Sequence, residues 1–326
     1  MSKTLVTGAT GFTGTALCKR LRADGHEVLA FVRSKERAAH LIELGVECVE
    51  VDIRDRQQVR DAFTDVGRVF HLAAAWRTEH AELDEFRLVN VEATRHLLEA
   101  AQDAGVEHFL HCSTVGVHGG VDEPPADESY RNRPEDHYQS SKLEGELIAR
   151  RYFSNGLTGT VIRPVGIYGP GDVRFLKLFK PISRRRFVMV GTGRTLYHLT
   201  YIDDLLDGMI AASHNKDAEG EVLTLAGENY TTIRELADMI ADVLDRPVTR
   251  LRVPFSPVYY LAVLCDKVCR SLGIEPPLYP RRVEFFYKHR AFRIDKARRV
   301  IGYQPKVCLR EGLERTAEWY QEEKLL

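Results

Sequence analysis

The sequence predicts an α/β fold built on a doubly wound parallel sheet, and three observations carry that expectation. Short apolar runs alternate with amphipathic stretches over the first two-thirds of the chain. A glycine-rich turn, Gly8-Ala-Thr-Gly11-Phe-Thr-Gly14, follows the first apolar run and opens the first amphipathic stretch. Beyond Gly166 the alternation loosens. The strand candidates are residues 4–7, 27–32, 46–51, 68–72, 108–112 and 160–163, mostly apolar throughout, as suits strands with helices on both faces. Between them lie amphipathic stretches at 13–24, 35–44, 56–63, 86–104 and 138–152. Such βαβ alternation gives a parallel sheet whose ligands bind beyond the carboxyl ends of the strands.

In the last third, Tyr168-Gly-Pro-Gly-Asp172 and Gly191-Thr-Gly193 are turn chemistry, and helices are expected at 202–214, 232–244, 258–272 and 309–323. The chain of 326 residues is long enough for one large core or two smaller ones. Its formal net charge of -1 gives no reason to expect a nucleic-acid or charged membrane partner. The opening Met-Ser-Lys-Thr-Leu-Val-Thr-Gly runs into a strand without an apolar signal core, so a cytoplasmic location is expected. The longest apolar stretch, 258–264, is too short to span a bilayer. The cysteines Cys18, Cys48, Cys112, Cys265, Cys269 and Cys308 are scattered, with no spacing that suggests a metal site or redox pair.

The glycine turn has a physical reading. Backbone N–H groups at a helix start must come close to a pyrophosphate, and glycines remove the Cβ atoms that would block the approach. Gly8, Gly11 and Gly14, with Phe12 and Thr13 between the last two, are therefore cofactor-binding candidates for a dinucleotide. The second strand ends Ala30-Phe-Val-Arg33-Ser-Lys35, with no acid to receive a ribose 2′-hydroxyl. Arg33 can instead form a bidentate contact with a 2′-phosphate, which favours NADP over NAD. Residues 1–165 then form a Rossmann-type dinucleotide-binding domain. Residues 166–326 form mainly a smaller, discontinuous C-terminal substrate lobe, with segments near 198–228 returning to the main sheet.

Tyr138 and Lys142 stand at i and i+4 in Tyr138-Gln-Ser-Ser-Lys142, on one helix face. A free tyrosine titrates near 10, and a neighbouring cation favours its phenolate. The fifth strand candidate leads into Cys112-Ser113-Thr114-Val115-Gly116-Val117-His118-Gly119, which sets hydroxyls at a strand's carboxyl end.

With this set in place the sequence resembles the extended short-chain dehydrogenase/reductases, the superfamily that includes sugar epimerases and dehydratases. The likeness covers nearly the whole chain. It takes in the glycine turn, Asp52-Ile53, His71-Leu-Ala-Ala-Ala75, Asn90-Val-Glu-Ala-Thr94, Arg163-Pro-Val-Gly-Ile-Tyr-Gly-Pro-Gly171, Tyr201-Ile-Asp-Asp204 and Gly302-Tyr-Gln-Pro305. The resemblance implies that Asp52 and Ile53 hold the adenine. Leu72, Ala73 and Ala74 would line the dinucleotide with Asn90 among the cofactor-side residues, and Val165 would meet the nicotinamide through its backbone. Tyr138 would move a proton at the substrate oxygen, Lys142 would lower the tyrosine pKa and bind the ribose, and Thr114 would donate to the substrate oxygen, with Ser113 the second choice. A homodimer through helices near 86–104 and 138–152 is also implied.

Departures from the family pattern narrow the branch. Nucleotide-sugar members typically carry an asparagine where this chain has Gly166, and a phosphate-binding arginine where it has Tyr197, with Arg194 nearby. Val115-Gly116 replaces the acidic pair of the dehydratases. The last third is similar to the 3β-hydroxysteroid-dehydrogenase-like and dihydroflavonol-reductase-like branches, and 257–272 reads as a greasy amphipathic helix. The expectation is an NADP-dependent oxidoreductase acting on a secondary alcohol or ketone. The alternative is an NAD(P)-dependent nucleotide-sugar epimerase. A non-catalytic regulator is disfavoured by the intact Thr114, Tyr138 and Lys142. Trp76, Arg77, His118, Tyr168 and His198 are candidates to line the substrate space, and His71 is expected to be structural.

Overall fold

The computed structural model describes residues 2–76, 83–247, 251–274 and 276–326. Strands β1 (Lys3–Thr7), β2 (Val28–Val32), β3 (Glu47–Glu50), β4 (Val66–His71), β5 (His108–Cys112) and β6 (Gly159–Pro164) lie where the apolar runs place them. After these, β7 (Gly166–Tyr168), β8 (Met189–Val190), β9 (Leu196–Tyr197), β10 (Leu199–Tyr201), β11 (Val222–Leu225), β12 (Thr231–Thr232) and β13 (Arg252–Val253) complete the strands. One seven-stranded sheet runs in the order β11-β6-β5-β4-β1-β2-β3, parallel at every pairing.

Side chains alternate across a strand, so neighbours enter opposite cores. Leu5, Leu29, Phe31, Val69, Phe109 and Val161 pack on one face with Leu97, Leu98, Ile148 and Phe153. Val6, Ala30, Val32, Phe70, Leu110 and Ile162 pack on the other with Leu17, Leu21, Leu205 and Met209. Both faces are dry, which is why the strands lack polar alternation.

Some elements differ from the expectation. The 35–44 stretch is a 3-10 turn, Glu36–Ala38, followed by a short helix, Ala39–Glu43. The 86–104 stretch begins earlier and contains a π turn, Leu88–Glu92, between the helices Leu83–Arg87 and Ala93–Ala104. Strand β11 was not among the sequence candidates: four residues, Val-Leu-Thr-Leu, carry too short a period to identify. It closes the sheet's edge beside β6.

Beyond β6 the chain leaves the sheet at Gly166. There β7 pairs with β10, β9 with β12 and β8 with β13. Around these small pairs lie the helices Leu176–Ser183, Ile233–Val243, Phe255–Ser271, Pro280–Glu284 and Leu309–Glu322, while Asp295–Ile301 packs beside β11. Thr232 and Glu235 form a capping box at the start of Ile233–Val243, satisfying two end donors reciprocally. The helix Phe255–Ser271 leaves Tyr260, Leu261, Leu264 and Val268 exposed. Among the described residues, no helix is long and apolar enough to cross a membrane.

Candidate active site

The sheet order reverses between β1 and β4, and the glycine turn sits at the carboxyl end of β1. A crevice at that switch point is where such sheets bind ligands. Gly8 has φ +71°, and a Cβ there would stand 2.7 Å from the Ala73 nitrogen; a Cβ on Gly14 would collide with the Gly8 carbonyl oxygen. The turn is thus a cradle that side chains would fill. Gly11 caps the helix Phe12–Ala23 with no side-chain acceptor, so no side chain competes for the N–H groups at its start, Phe12 and Thr13 among them. Those donors, at the positive end of a helix dipole, suit a pyrophosphate.

Polar links then tie β4 to the helix His137–Ser154. Thr94 Oγ1 donates to the Asn90 carbonyl at 2.9 Å, so His71 Nε2 donates to Thr94 at 2.9 Å and Nδ1 accepts from Thr7 Oγ1 at 2.7 Å. The buried His71 ring is pushed down to about 3 by desolvation, with the Lys142 charge adding to it. It is structural, as expected. Asn90, in the π turn, accepts from the Ala75 nitrogen at 2.8 Å and donates to the Ala75 carbonyl at 3.1 Å and Ser141 Oγ at 2.9 Å. These bonds hold the stretch after Leu72, Ala73 and Ala74 beside the helix that carries Tyr138.

That helix starts at Asp136, whose carboxylate accepts from the Gln139 nitrogen at 2.8 Å. Tyr138 and Lys142 therefore lie in its first turns. Lys142 is 2% exposed, and its Nζ donates to the Cys112 carbonyl at 2.6 Å. Burial lowers its pKa. Cys112 is the last residue of β5, and Thr114 caps the following 3-10 turn by accepting from the Gly116 nitrogen at 3.0 Å. A Cβ on Gly116 would lie 3.4 Å from Gln139 Cγ, so this turn packs on the start of the Tyr138 helix. Ammonium, phenol-bearing helix and threonine thus gather at the end of β5.

Ser113 has a different commitment. Its hydroxyl donates to Glu146 at 2.6 Å. Glu146 also receives Arg163 Nε at 3.0 Å and Nη2 at 2.6 Å, and Arg163 Nη1 donates to His118 Nε2 at 3.0 Å. Glu146 and Arg163 are 0% and 1% exposed. His118 Nδ1 donates to the Arg131 carbonyl at 3.1 Å. Burial first, then Arg163, lowers the His118 pKa. Only pieces of this network were visible in the sequence, since Ser113 and Glu146 stand in different elements.

Beyond the carboxyl end of β2, Arg33 is exposed and makes no hydrogen bond or close ion pair among the described residues, though its charge is felt by Asp52. The Glu50 carboxylate accepts from the Lys35 nitrogen at 2.8 Å. Asp52 forms a fork with Arg54, Oδ1 to Nε at 2.9 Å and Oδ2 to Nη2 at 2.6 Å. That hydrogen bond, more than any other cause, holds its carboxyl below the usual range. Ile53 is half-buried, its carbonyl 3.3 Å from His96 Nδ1. Val165 is buried, and its nitrogen donates to the Leu225 carbonyl at 3.2 Å.

Of the other candidates, Trp76 is exposed, with the Arg174 guanidinium 5.3 Å from its ring centroid and 5.5 Å from that of Phe12. Arg174, which the sequence did not single out, also pairs with Asp172 at 2.6 Å. Arg77 lies outside the described residues. Tyr168 is 2% exposed and donates to the Leu309 carbonyl at 3.4 Å. His198 is buried, with Nε2 2.9 Å from the Gly227 carbonyl, and burial pushes it to about 4. His118, Tyr168 and His198 are thus packed into the protein. Arg194 lines an open cleft with Gly191, Thr192, Arg234 and Arg252, not with Gly166.

Residues 4–226 match the model of the NAD dependent epimerase/dehydratase family. The chain belongs to that family. That family comprises NAD-dependent enzymes of the extended short-chain dehydrogenase/reductase type. It is 31% identical over 294 residues to a 3beta-hydroxysteroid-dehydrogenase/decarboxylase isoform 2 of Arabidopsis thaliana, covering 84% of this chain and 52% of that protein. The chain therefore spans about half the length of that relative. It is 29% identical to a 4-hydroxy-2-methyl-3-oxo-4-farnesyl-3,4-dihydroquinoline-1-oxide ketoreductase of Stigmatella aurantiaca, covering 96% of this chain and 95% of the relative. A solved structure of MoeE5 in complex with UDP-glucuronic acid and NAD superposes with a TM-score of 0.77 at 26% identity, covering 98% of this chain and 99% of the other.

Proposed function

We propose that this chain is an NADP-dependent oxidoreductase that interconverts a secondary alcohol and a ketone on a small molecule. Residues 1–165 would hold the dinucleotide and 166–326 mainly the substrate. The observation that carries the reading is the buried Lys142 on the Cys112 carbonyl, at the strand end that also carries Thr114. The nicotinamide, when bound, gives or takes the hydride at the substrate carbon. Tyr138 gives or takes the proton at the substrate oxygen, so reduction adds one hydride and one proton across the C=O bond. Lys142 supplies the positive charge that favours the phenolate. Thr114 accepts from the Gly116 nitrogen, which leaves its own O–H for the substrate oxygen. Ser113 has its hydroxyl on Glu146, which supports Thr114 as the donor.

Arg33 supports NADP: it is an exposed guanidinium at the end of β2 without an ion-pair partner among the described residues. The ketoreductase relative agrees with net reduction. A second reading, nucleotide-sugar epimerisation, draws on the likeness to MoeE5 with UDP-glucuronic acid. Exposed Leu88 and Leu147, on neighbouring helical segments, support a homodimer through that face.

The test is NADPH consumption with 4-phenyl-2-butanone and ethyl 3-oxohexanoate, beside interconversion of UDP-glucose and UDP-galactose. Ketone-dependent consumption is expected, and Tyr138→Phe should lower kcat by about 10²–10⁴-fold with NADPH still bound. Sugar interconversion without net cofactor use would replace this reading with the second. Unchanged kcat in the phenylalanine variant would remove the assigned role of Tyr138.

A further inference from the structure

Gly166 and Tyr197, two separate departures in the sequence, meet in space. Gly166 follows Val165 directly beyond the carboxyl end of β6, at the edge where this sheet type binds its ligands. A Cβ on Gly166 would stand 3.0 Å from Tyr197 Oη and 2.9 Å from Leu199 Cδ2. Its φ lies outside the left-handed region, so the backbone does not demand a glycine. Space does: the volume a side chain at 166 would take is already held by a phenol and a leucine methyl.

Tyr197 is fixed in that volume from several directions. Its strand β9 pairs with β12, opposing Thr231, and Tyr197 also bridges to Arg290. The Leu196 nitrogen donates to His289 Nδ1 at 3.0 Å, and the Arg290 nitrogen donates to the Leu196 carbonyl at 2.9 Å. The Tyr197 ring stands edge-on to Phe285, with centroids 5.0 Å apart. Next to Gly166, β10 runs parallel to β7 in the register Leu199↔Gly166, which presents the leucine to the same space.

We infer that Tyr197 is a specificity-determining residue. Its phenol, seated against Gly166, walls the substrate space beside Val165 with an aromatic surface and a single hydroxyl. This wall suits a ketone with an apolar or aryl body next to the reacting carbon. The phenol itself brings neither a positive charge nor an amide to a diphosphate. The inference rests on the oxidoreductase reading.

Two measurements test it. In a thermal double-mutant cycle, Gly166→Ala lowers the melting temperature in the parent protein and costs less in a Tyr197→Ala background, where the Leu199 methyl still stands close. Additive costs would overturn the shared volume. In steady-state kinetics with 4-phenyl-2-butanone, Tyr197→Ala raises KM by about tenfold or more while kcat stays within about threefold and NADPH affinity is unchanged. An unchanged KM would overturn the role in specificity. Where alanine unfolds the lobe, Tyr197→Leu serves in both measurements. If the parent turns over no ketone, the oxidoreductase reading fails by itself. The cycle still decides the shared volume, and saturable binding of UDP-glucose by the parent would overturn the wall.

Discussion

The two halves of the molecule are held together by different forces. Beneath the ends of β5 and β6, Ser113, Glu146, Arg163 and His118 form a dry polar network in which each member has a partner. In the lobe, ion pairs such as Arg310–Asp242 and Arg298–Glu228 are open to solvent. A chain of rings runs through its interior beside fewer buried charges: Tyr168 against Tyr201 and Phe175, and Phe179 against Tyr320. A buried charge network fixes direction, because each donor has one acceptor at one angle. Ring packing fixes volume and tolerates reshaping. The half proposed to position hydride and proton transfer therefore has the more directional network, and the half proposed to meet variable substrates has the more plastic packing.

The largest way to break this contrast is Glu146→Ala. It leaves the Arg163 guanidinium buried without its carboxylate and should cost about 3–5 kcal/mol in urea unfolding. A loss comparable to that of a surface pair would mean that the network is not what orders this half. Next is Arg33→Ala, which should weaken NADP binding by about 10–100-fold through loss of a charge-assisted contact, leaving NAD binding nearly unchanged. Equal losses for both dinucleotides would remove the 2′-phosphate assignment.

The smallest effect concerns protons. His71 and His108 are pushed to about 3 by burial, and His111 is held well below its ordinary value by burial and then by Lys142. Folded, these rings stay neutral while unfolded imidazoles charge below about 6.5. Between those limits the unfolded chain binds more protons, so stability falls as pH drops. Melting temperature should decline steadily from pH 7 toward 4.5. Among the described residues neither His111 ring nitrogen has a hydrogen-bond partner, so His111→Phe should hold the melting temperature at pH 8 and flatten the acid decline. Parallel declines in the two proteins would show that His111 is not one of the groups responsible.

What could be read from the sequence was local. The glycine turn, the Tyr138–Lys142 spacing and six apolar runs each lie within a few residues, and each appears in the structure as an element or a helix face. Features that depend on distant partners were not legible. The resemblance ranks Thr114 above Ser113, but the physical reason needed coordinates: the Ser113 hydroxyl is bound to Glu146, 33 residues on. The two-residue strands β8, β9, β12 and β13 have no period of their own and exist through their pairings. Gly166 and Tyr197 each read as a departure from a pattern, and their contact needed coordinates.

The π turn at Leu88–Glu92 has a consequence for insertions and deletions. Such a turn holds one residue more than a regular helix has room for. Deleting Val91 or Glu92 would let the helix close into ordinary bonds and become the sturdier helix. It would also rotate the preceding turn by about 100° and carry the Asn90 amide away from Ala75 and Ser141. A shorter helix here would be a better helix in a poorer enzyme.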